Sequence, residues 1–341
     1  MRRLLFFLIT LCLSFACYSA SADSQDVNSC LLKKLKEGDE TLTLGQVRQL
    51  CSRQAEDKSD ESSIEHDSVH QSGLVSQRLA REASTELDQF VITPHKQNYL
   101  LPVYTTNAIN RQAYSEINGF EENLEDIESM FQLSIKAPLT PRGLFIENDG
   151  FFMGFTLQAF WQVYSQGISK PFRETNYQPE IFYVAPIHYE VFGTDTTVVL
   201  GLEHQSNGRS QLLSRSWNRV YANFLFEKNN WVVSVKPWIR LPEDDKEFEL
   251  DPNGDDNPDI GDFMGHFELS AAYEWGVFEF SLKGRQNFNT HNGSAELGMT
   301  FPLWGKFRGY SKVFHGYGDS LIDYDYSQTR VGVGFALNNI F

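Results

Sequence analysis

The sequence predicts an all-β membrane protein: a 12-stranded antiparallel transmembrane β-barrel behind a small, partly helical or disordered N-terminal extension. Three observations carry this. The chain opens on an export signal. No later apolar run is long enough for a membrane-crossing helix. From about Val91 onward, aromatic-rich runs alternate apolar and polar residues at period two.

Residues 1–22 read as the signal peptide. Arg2 and Arg3 form its positive start, Leu4 to Phe15 its short apolar stretch, and Ala20-Ser21-Ala22 its cleavage site. The apolar stretch is short for an uncleaved anchor. Cys17 offers a lipoprotein alternative, but Ser14-Phe15-Ala16 before it lacks a leucine at the third position upstream. Two cysteines follow the signal, Cys30 and Cys51. In an oxidising compartment an even count favours a bridge between them over two free thiols.

Residues 23–90 are polar, acidic and poor in aromatics, and read as a periplasmic extension or small accessory module. Leu31 to Leu35 and Leu44 to Leu50 have the look of short helices. Thr43 with Gln46 makes a capping box before the second. Residues 56–67 form a charge-rich linker. Leu74 to Leu87 predicts a further helix. The region shows no chemistry. The net charge of -16 excludes a nucleic-acid partner, which needs a basic footprint.

Residues 91–341 form the barrel domain. Val198, Leu200 and Leu202 alternate with Val199, Gly201 and Glu203. Val220, Ala222, Phe224 and Phe226 alternate with Tyr221, Asn223, Leu225 and Glu227. The same pattern runs through Phe278 to Lys283 and through Val331 to Asn338. About 250 residues at roughly 20 per strand and loop give about 12 strands, an even number as a bacterial barrel requires. The last strand closes on Phe341, which resembles the assembly signal of bacterial outer-membrane barrels. It makes the outer-membrane assembly machinery an expected partner and the outer membrane the expected location. A soluble β-sandwich whose last strand happens to end in Phe is the alternative; the signal peptide, the aromatic content and the missing helical span together favour the barrel.

The chemistry concentrates in Gly201 to Arg209 and Ser214 to Tyr221. His204 and Ser206 are two residues apart on a strand, so both side chains leave the same face. A serine hydroxyl is a weak nucleophile until a neighbouring base takes its proton, and an imidazole base needs a third group to fix its orientation. If the turn centres on Gln211, position 204 falls opposite Asn218. His204 and Ser206 then continue the apolar face of Val198, Leu200 and Leu202, and Asn218 that of Val220 to Phe226. The three would sit together on the lipid side of the wall. Glu203, Gln205, Arg219 and Asn223 would face the lumen. A solute channel would put its specific groups inside, whereas a lipid hydrolase would put them outside. Taken singly, a surface histidine beside a serine, or an asparagine near a turn, is ordinary. What changes the weighing is these three types ending two apolar faces in register.

Beyond this constellation, the chain resembles the outer-membrane phospholipase A family. His204-Gln-Ser-Asn-Gly-Arg209 and Ser214-Arg-Ser-Trp-Asn-Arg219 carry the resemblance. Pro171-Phe-Arg-Glu-Thr-Asn-Tyr177, Val235-Lys-Pro-Trp238, Asp255-Asp-Asn-Pro-Asp-Ile260, Gly298 with Pro302, Gly316 to Tyr324 and Thr329 to Gly334 support it. It runs from about residue 92 to 341. The resemblance implies a 12-stranded barrel that cleaves phospholipid acyl esters at both glycerol positions. Ser206 would be the nucleophile, His204 the base, Asn218 its orienter, and the Gly208 amide an oxyanion donor. It further implies a calcium-dependent homodimer. Calcium would be held by the Arg209 carbonyl, Ser214 and Ser169 of the partner subunit, with Asp256 linked to calcium in the monomer. Bound calcium would polarise a water of the oxyanion hole.

One position departs from the pattern. The family implies an aspartate where Gln211 stands, so the calcium site has one charge fewer. His95, His188, His266, His291 and His315 show no metal-ligand spacing and read as structural or surface residues. A non-enzymatic porin-like or structural barrel, indifferent to Ser206→Ala, is the alternative of a different class. A lipid A deacylase is the enzymatic alternative, and it would release acyl chains from lipopolysaccharide but not from phospholipid.

Overall fold

The computed structural model describes residues 73–85 and 93–341, apart from 192, 249–250, 252–253, 306 and 339–341. The signal peptide, the two earlier helices with their capping box, the Cys30–Cys51 pair, the charged linker and Phe341 lie outside the described residues.

Helix α1 (Leu74–Ala83) comes first, within the span where the sequence predicts a helix. A two-residue strand, β1 (Thr93–Pro94), precedes twelve longer ones. These are β2 (Tyr99–Thr106), β3 (Ile127–Pro138), β4 (Gly150–Trp161), β5 (Phe172–Val191), β6 (Thr194–Ser206) and β7 (Ser216–Lys228). Then come β8 (Trp231–Leu241), a short helix α2 (Ile260–Met264), β9 (Phe267–Trp275), β10 (Phe278–Gln286), β11 (Gly293–Trp304), β12 (Phe307–Gly316) and β13 (Gln328–Ala336).

Each of the twelve pairs antiparallel with its chain neighbours, and β13 pairs back onto β2, so the sheet closes into an up-and-down barrel. Among the described residues, closure gives each of the twelve long strands a partner on both sides, which spares the hydrocarbon unpaired backbone groups that it could not solvate. β1 extends the line of β2 along β3. The connections alternate in length. Tight turns such as 229–230 and 276–277 gather at one end, and loops such as 207–215 and 242–266 at the other. Short periplasmic turns and longer external loops are the usual arrangement of such barrels.

The predicted alternation is the observed one. Leu200 and Leu202 are 50% and 55% exposed on the outer face, while Glu203 and Arg219 are 3% and 8% exposed inside. Trp161, Tyr164, Phe172 and Tyr177 are exposed at the loop end of β4 and β5, and Trp275, Phe278, Trp304 and Phe307 at the turn end of β9 to β12. Amphipathic rings at both rims suit the two headgroup layers.

The lumen is bridged by paired charges, as burial demands. The Arg173 guanidinium forks onto Glu128, with Nε–Oε2 and Nη2–Oε1 both 3.0 Å, and reaches Asp323 at 3.0 Å. Arg330 bonds the same glutamate. Lys236 meets Glu203 at 3.0 Å, and Tyr221 donates to Glu180 at 2.6 Å. At the turn end, the α1 amides of Val75 and Ser76 donate to the carboxylate of Glu227, at 2.5 and 2.9 Å. That anion sits where a helix N-terminus attracts one. Val75 packs with Leu225, Val232 and Ala272 from the inner wall.

Candidate active site

β6 and β7 form the hairpin that carries the candidate triad. Its register pairs Glu203 with Arg219, His204 with Asn218 and Ser206 with Ser216. This is the pairing that a turn centred on Gln211 requires. His204 Nδ1 lies 2.9 Å from Asn218 Oδ1, a hydrogen bond across the ladder. Since the amide oxygen only accepts, Nδ1 carries the proton and Nε2 is the basic nitrogen. Ser206 lies on the same face, two residues on, and is half-buried like His204 and Asn218. Among the described residues no hydrogen bond joins Ser206 Oγ to the imidazole.

The face leading down from the three is apolar. A groove in the outer wall is lined by Leu202, Leu200, Val220, Ala222, Ile181 and Ile239. Leu202 and Val220 are the next outward residues below His204 and Asn218. Phe145, from the loop before β4, also lines the groove.

The β6–β7 loop is organised by Asn207, which the sequence reading did not single out. Its Oδ1 accepts from the amides of Arg209 and Arg215 at 3.2 and 3.0 Å, and its Nδ2 donates to the Leu213 carbonyl at 2.8 Å. Short polar side chains that bond nearby backbone are how such loops hold their shape. Asparagine in a loop is common, so nothing marked this one in the sequence. Gly208 follows at φ +63°, and a Cβ there would also meet the Tyr177 ring at 3.2 Å. Glycine suits this backbone. Among the described residues the Gly208 N–H has no acceptor within the protein.

The calcium candidates are only partly gathered. Ser214 Oγ donates to Asp256 Oδ2 at 2.5 Å, which joins the β6–β7 and β8–β9 loops. The other oxygen, Asp256 Oδ1, is held by Lys246 Nζ at 2.5 Å. A cationic group therefore already rests on this carboxylate. Arg209 directs its guanidinium to the carbonyls of Phe172 and Arg173, at 3.0 and 2.9 Å. Ser169 is exposed in the β4–β5 loop and makes no hydrogen bond to the others among the described residues. The donors are all oxygen, as a hard cation prefers. One chain joins Ser214 to Asp256 by a hydrogen bond, and among the described residues no hydrogen bond links Ser169 to either. Gln211 is exposed at φ +56°, at the start of a short 3-10 turn, Gln211–Leu213.

Glu243 was also missed by the sequence reading. Its Oε1 accepts from Asn218 Nδ2 at 3.0 Å. It stands in an acidic loop where many carboxylates face solvent, and residue type alone could not separate it from its neighbours. His95 is structural: it stacks on Phe182 at 4.8 Å and bonds Glu180 at 2.8 Å.

Comparisons with known proteins agree with this architecture. The family model described as Phospholipase A1 matches residues 75–337. Phospholipase A1 of Escherichia coli strain K12 is 40% identical over 276 residues, 80% of this chain and 91% of its own. That of Klebsiella pneumoniae is 36% identical over 301 residues, 88% of this chain and 99% of its own. The solved outer membrane phospholipase A from Escherichia coli superposes with a TM-score of 0.71 at 39% identity, covering 77% of this chain and 98% of that one. The Salmonella typhi outer membrane phospholipase, solved as a dimer with bound calcium, gives 0.70 at 40% identity over the same shares. The chain belongs to the phospholipase A1 family, a family of phospholipid ester hydrolases, and is a multi-pass β-barrel of the bacterial outer membrane.

Proposed function

We propose that this chain hydrolyses the acyl esters of glycerophospholipids at both glycerol positions, and those of the lysophospholipid products, through Ser206, His204 and Asn218. The observation that carries the reading is the 2.9 Å His204–Asn218 bond on the outer wall, at the head of an apolar groove. In this reading His204 Nε2 takes the Ser206 proton as Oγ attacks the ester carbonyl carbon. The Gly208 amide donates to the oxyanion. Collapse expels the glycerol oxygen, which receives the proton from His204. Water, activated by the same imidazole, then frees the fatty acid from Ser206.

Calcium is part of the proposal. The Arg209 carbonyl, Ser214 and Asp256 would hold it, with Ser169 of the partner subunit completing the set. The similarity to an outer membrane phospholipase solved as a dimer with bound calcium supports a site completed by a second copy. Bound calcium supplies a Lewis acid that polarises water near the developing negative charge. Dimerisation would then govern activity, with monomers in an intact membrane idle. Enforced monomers as active as dimers would refute that part.

Residues 1–22 as export signal, 23–90 as extension and 91–341 as catalytic barrel belong to the same reading, as does insertion by the outer-membrane assembly machinery. The deciding measurement is fatty-acid release by detergent-solubilised protein, with calcium or with chelator. Wild type should release fatty acid only with calcium, and Ser206→Ala should lose about 10³-fold or more. Release that survives the substitution sinks the mechanism.

A further inference from the structure

Asn218 is bonded on both sides. Its Oδ1 meets His204 Nδ1 at 2.9 Å, and its Nδ2 donates to Glu243 Oε1 at 3.0 Å. The approach is built into the sheet. Leu241, the last residue of β8, pairs with Asn218 across the ladder, and Glu243 follows two positions later. A carboxylate only accepts hydrogen bonds. Glu243 therefore draws the NH2 group of Asn218 toward itself, which turns the carbonyl oxygen toward His204. It also places a negative charge one amide away from an imidazole that becomes positive during turnover. A neutral asparagine alone cannot supply that charge.

We propose that Glu243 is a positioning residue for His204: acting through Asn218, it fixes the imidazole tautomer and stabilises the imidazolium. The inference rests on the Ser206–His204–Asn218 reading and extends it by one residue. Among the described residues, His204 from β6 and Glu243 from the loop are the titratable groups hydrogen-bonded to Asn218. Arg219 and Arg240, at adjacent positions on β7 and β8, point to the other face, where they bind Glu203 and Asp255. The loop has anchors of its own: Ser214 Oγ bonds Asp256 at 2.5 Å, and the Ser216 amide bonds Asn257 at 3.0 Å. Removing the Glu243 side chain leaves these in place.

The test uses the full-length protein with calcium in phospholipid–detergent micelles. Glu243→Gln keeps the acceptor and removes the charge, whereas Glu243→Ala removes both. The expected kcat falls about threefold for the first and about tenfold for the second, with KM unchanged. Asn218→Asp sets two carboxylates about 3 Å apart, where they repel or share one proton. Its kcat should be low and drop further as rising pH removes that proton. Adding Glu243→Gln to Asn218→Asp supplies an amide donor to the new carboxylate. The double variant should recover about tenfold in kcat and lose the extra pH limb. Misfolding cannot imitate a gain of activity.

Equal kcat for Asn218→Asp and the double variant at every pH overturns the inference, and so does a wild-type Glu243→Ala. Ser206→Ala separates the two failures. If it stays active, the triad reading itself fails. If it is dead and the double variant is not rescued, only the role of Glu243 is lost.

Discussion

His204 and Asn218 stand opposite each other across the β6–β7 ladder, fourteen positions apart in sequence and 2.9 Å apart at their polar atoms. The hairpin register alone brings them together. In the proposed mechanism, orienting the ring contributes less than the base itself. Asn218→Ala should therefore lower kcat about tenfold, against about 10³-fold for His204→Ala. Initial rates of fatty-acid release measure both. Equal losses would mean that Asn218 does more than orient.

The outward parity of β6 has an energetic consequence. Leu200 is half exposed on the lipid face, in the middle of the strand. Leu200→Arg should cost about 2–4 kcal/mol of folding stability, as arginine does near the bilayer midplane. Asn223→Lys, on the lumen side of β7, should cost much less. Reversible unfolding from lipid vesicles compares them. Similar losses would contradict the assignment of faces.

The proposed calcium site lacks charge at one position and carries a competing cation at another. Gln211 holds a left-handed backbone that aspartate tolerates better. Gln211→Asp should tighten calcium binding, because a carboxylate replaces a neutral amide. Lys246 pairs with Asp256 Oδ1 and must yield to a second cation there. Lys246→Ala should tighten binding about two- to fivefold, the worth of a partly exposed ion pair. Calorimetric titration reads both without reference to activity. Weaker binding in either variant would exclude the position from the site.

α1 carries a pH-dependent tie to the wall. Burial pushes the Glu82 carboxyl up, but Lys136 and Arg78 together outweigh it and hold the group below the ordinary carboxylate range. Lys136 Nζ is 2.7 Å away and Arg78 Nε 2.8 Å. A lowered folded-state value means stability that is present above the ordinary carboxylate pKa of about 4 and lost as pH falls through the folded value. Hydrogen exchange in α1 should therefore quicken under acid, and Glu82→Gln should quicken it already at neutral pH. Exchange insensitive to both would show that the apolar contacts of Val75 suffice.

Much of this protein could be read along the chain. Period-two alternation gave the barrel and its faces, because a lipid-exposed strand must show apolar residues on every second position, and the length of the barrel region gave its strand number. Parity and the symmetry of a single hairpin about Gln211 brought His204, Ser206 and Asn218 to one end of the outer face, since all three lie on neighbouring strands joined by one short loop.

Contacts that do not follow from the β6–β7 hairpin's own register were decided by tertiary structure alone. Glu243 reaches Asn218 because β7 and β8 pair in one particular register, and Lys246 reaches Asp256 because a long loop folds back on itself. Tyr177 comes beside Ser206 and Gly208 through the β5–β6 ladder. Local periodicity records which face a residue takes. Which distant residue it meets depends on ladder register and loop packing, which no local pattern encodes.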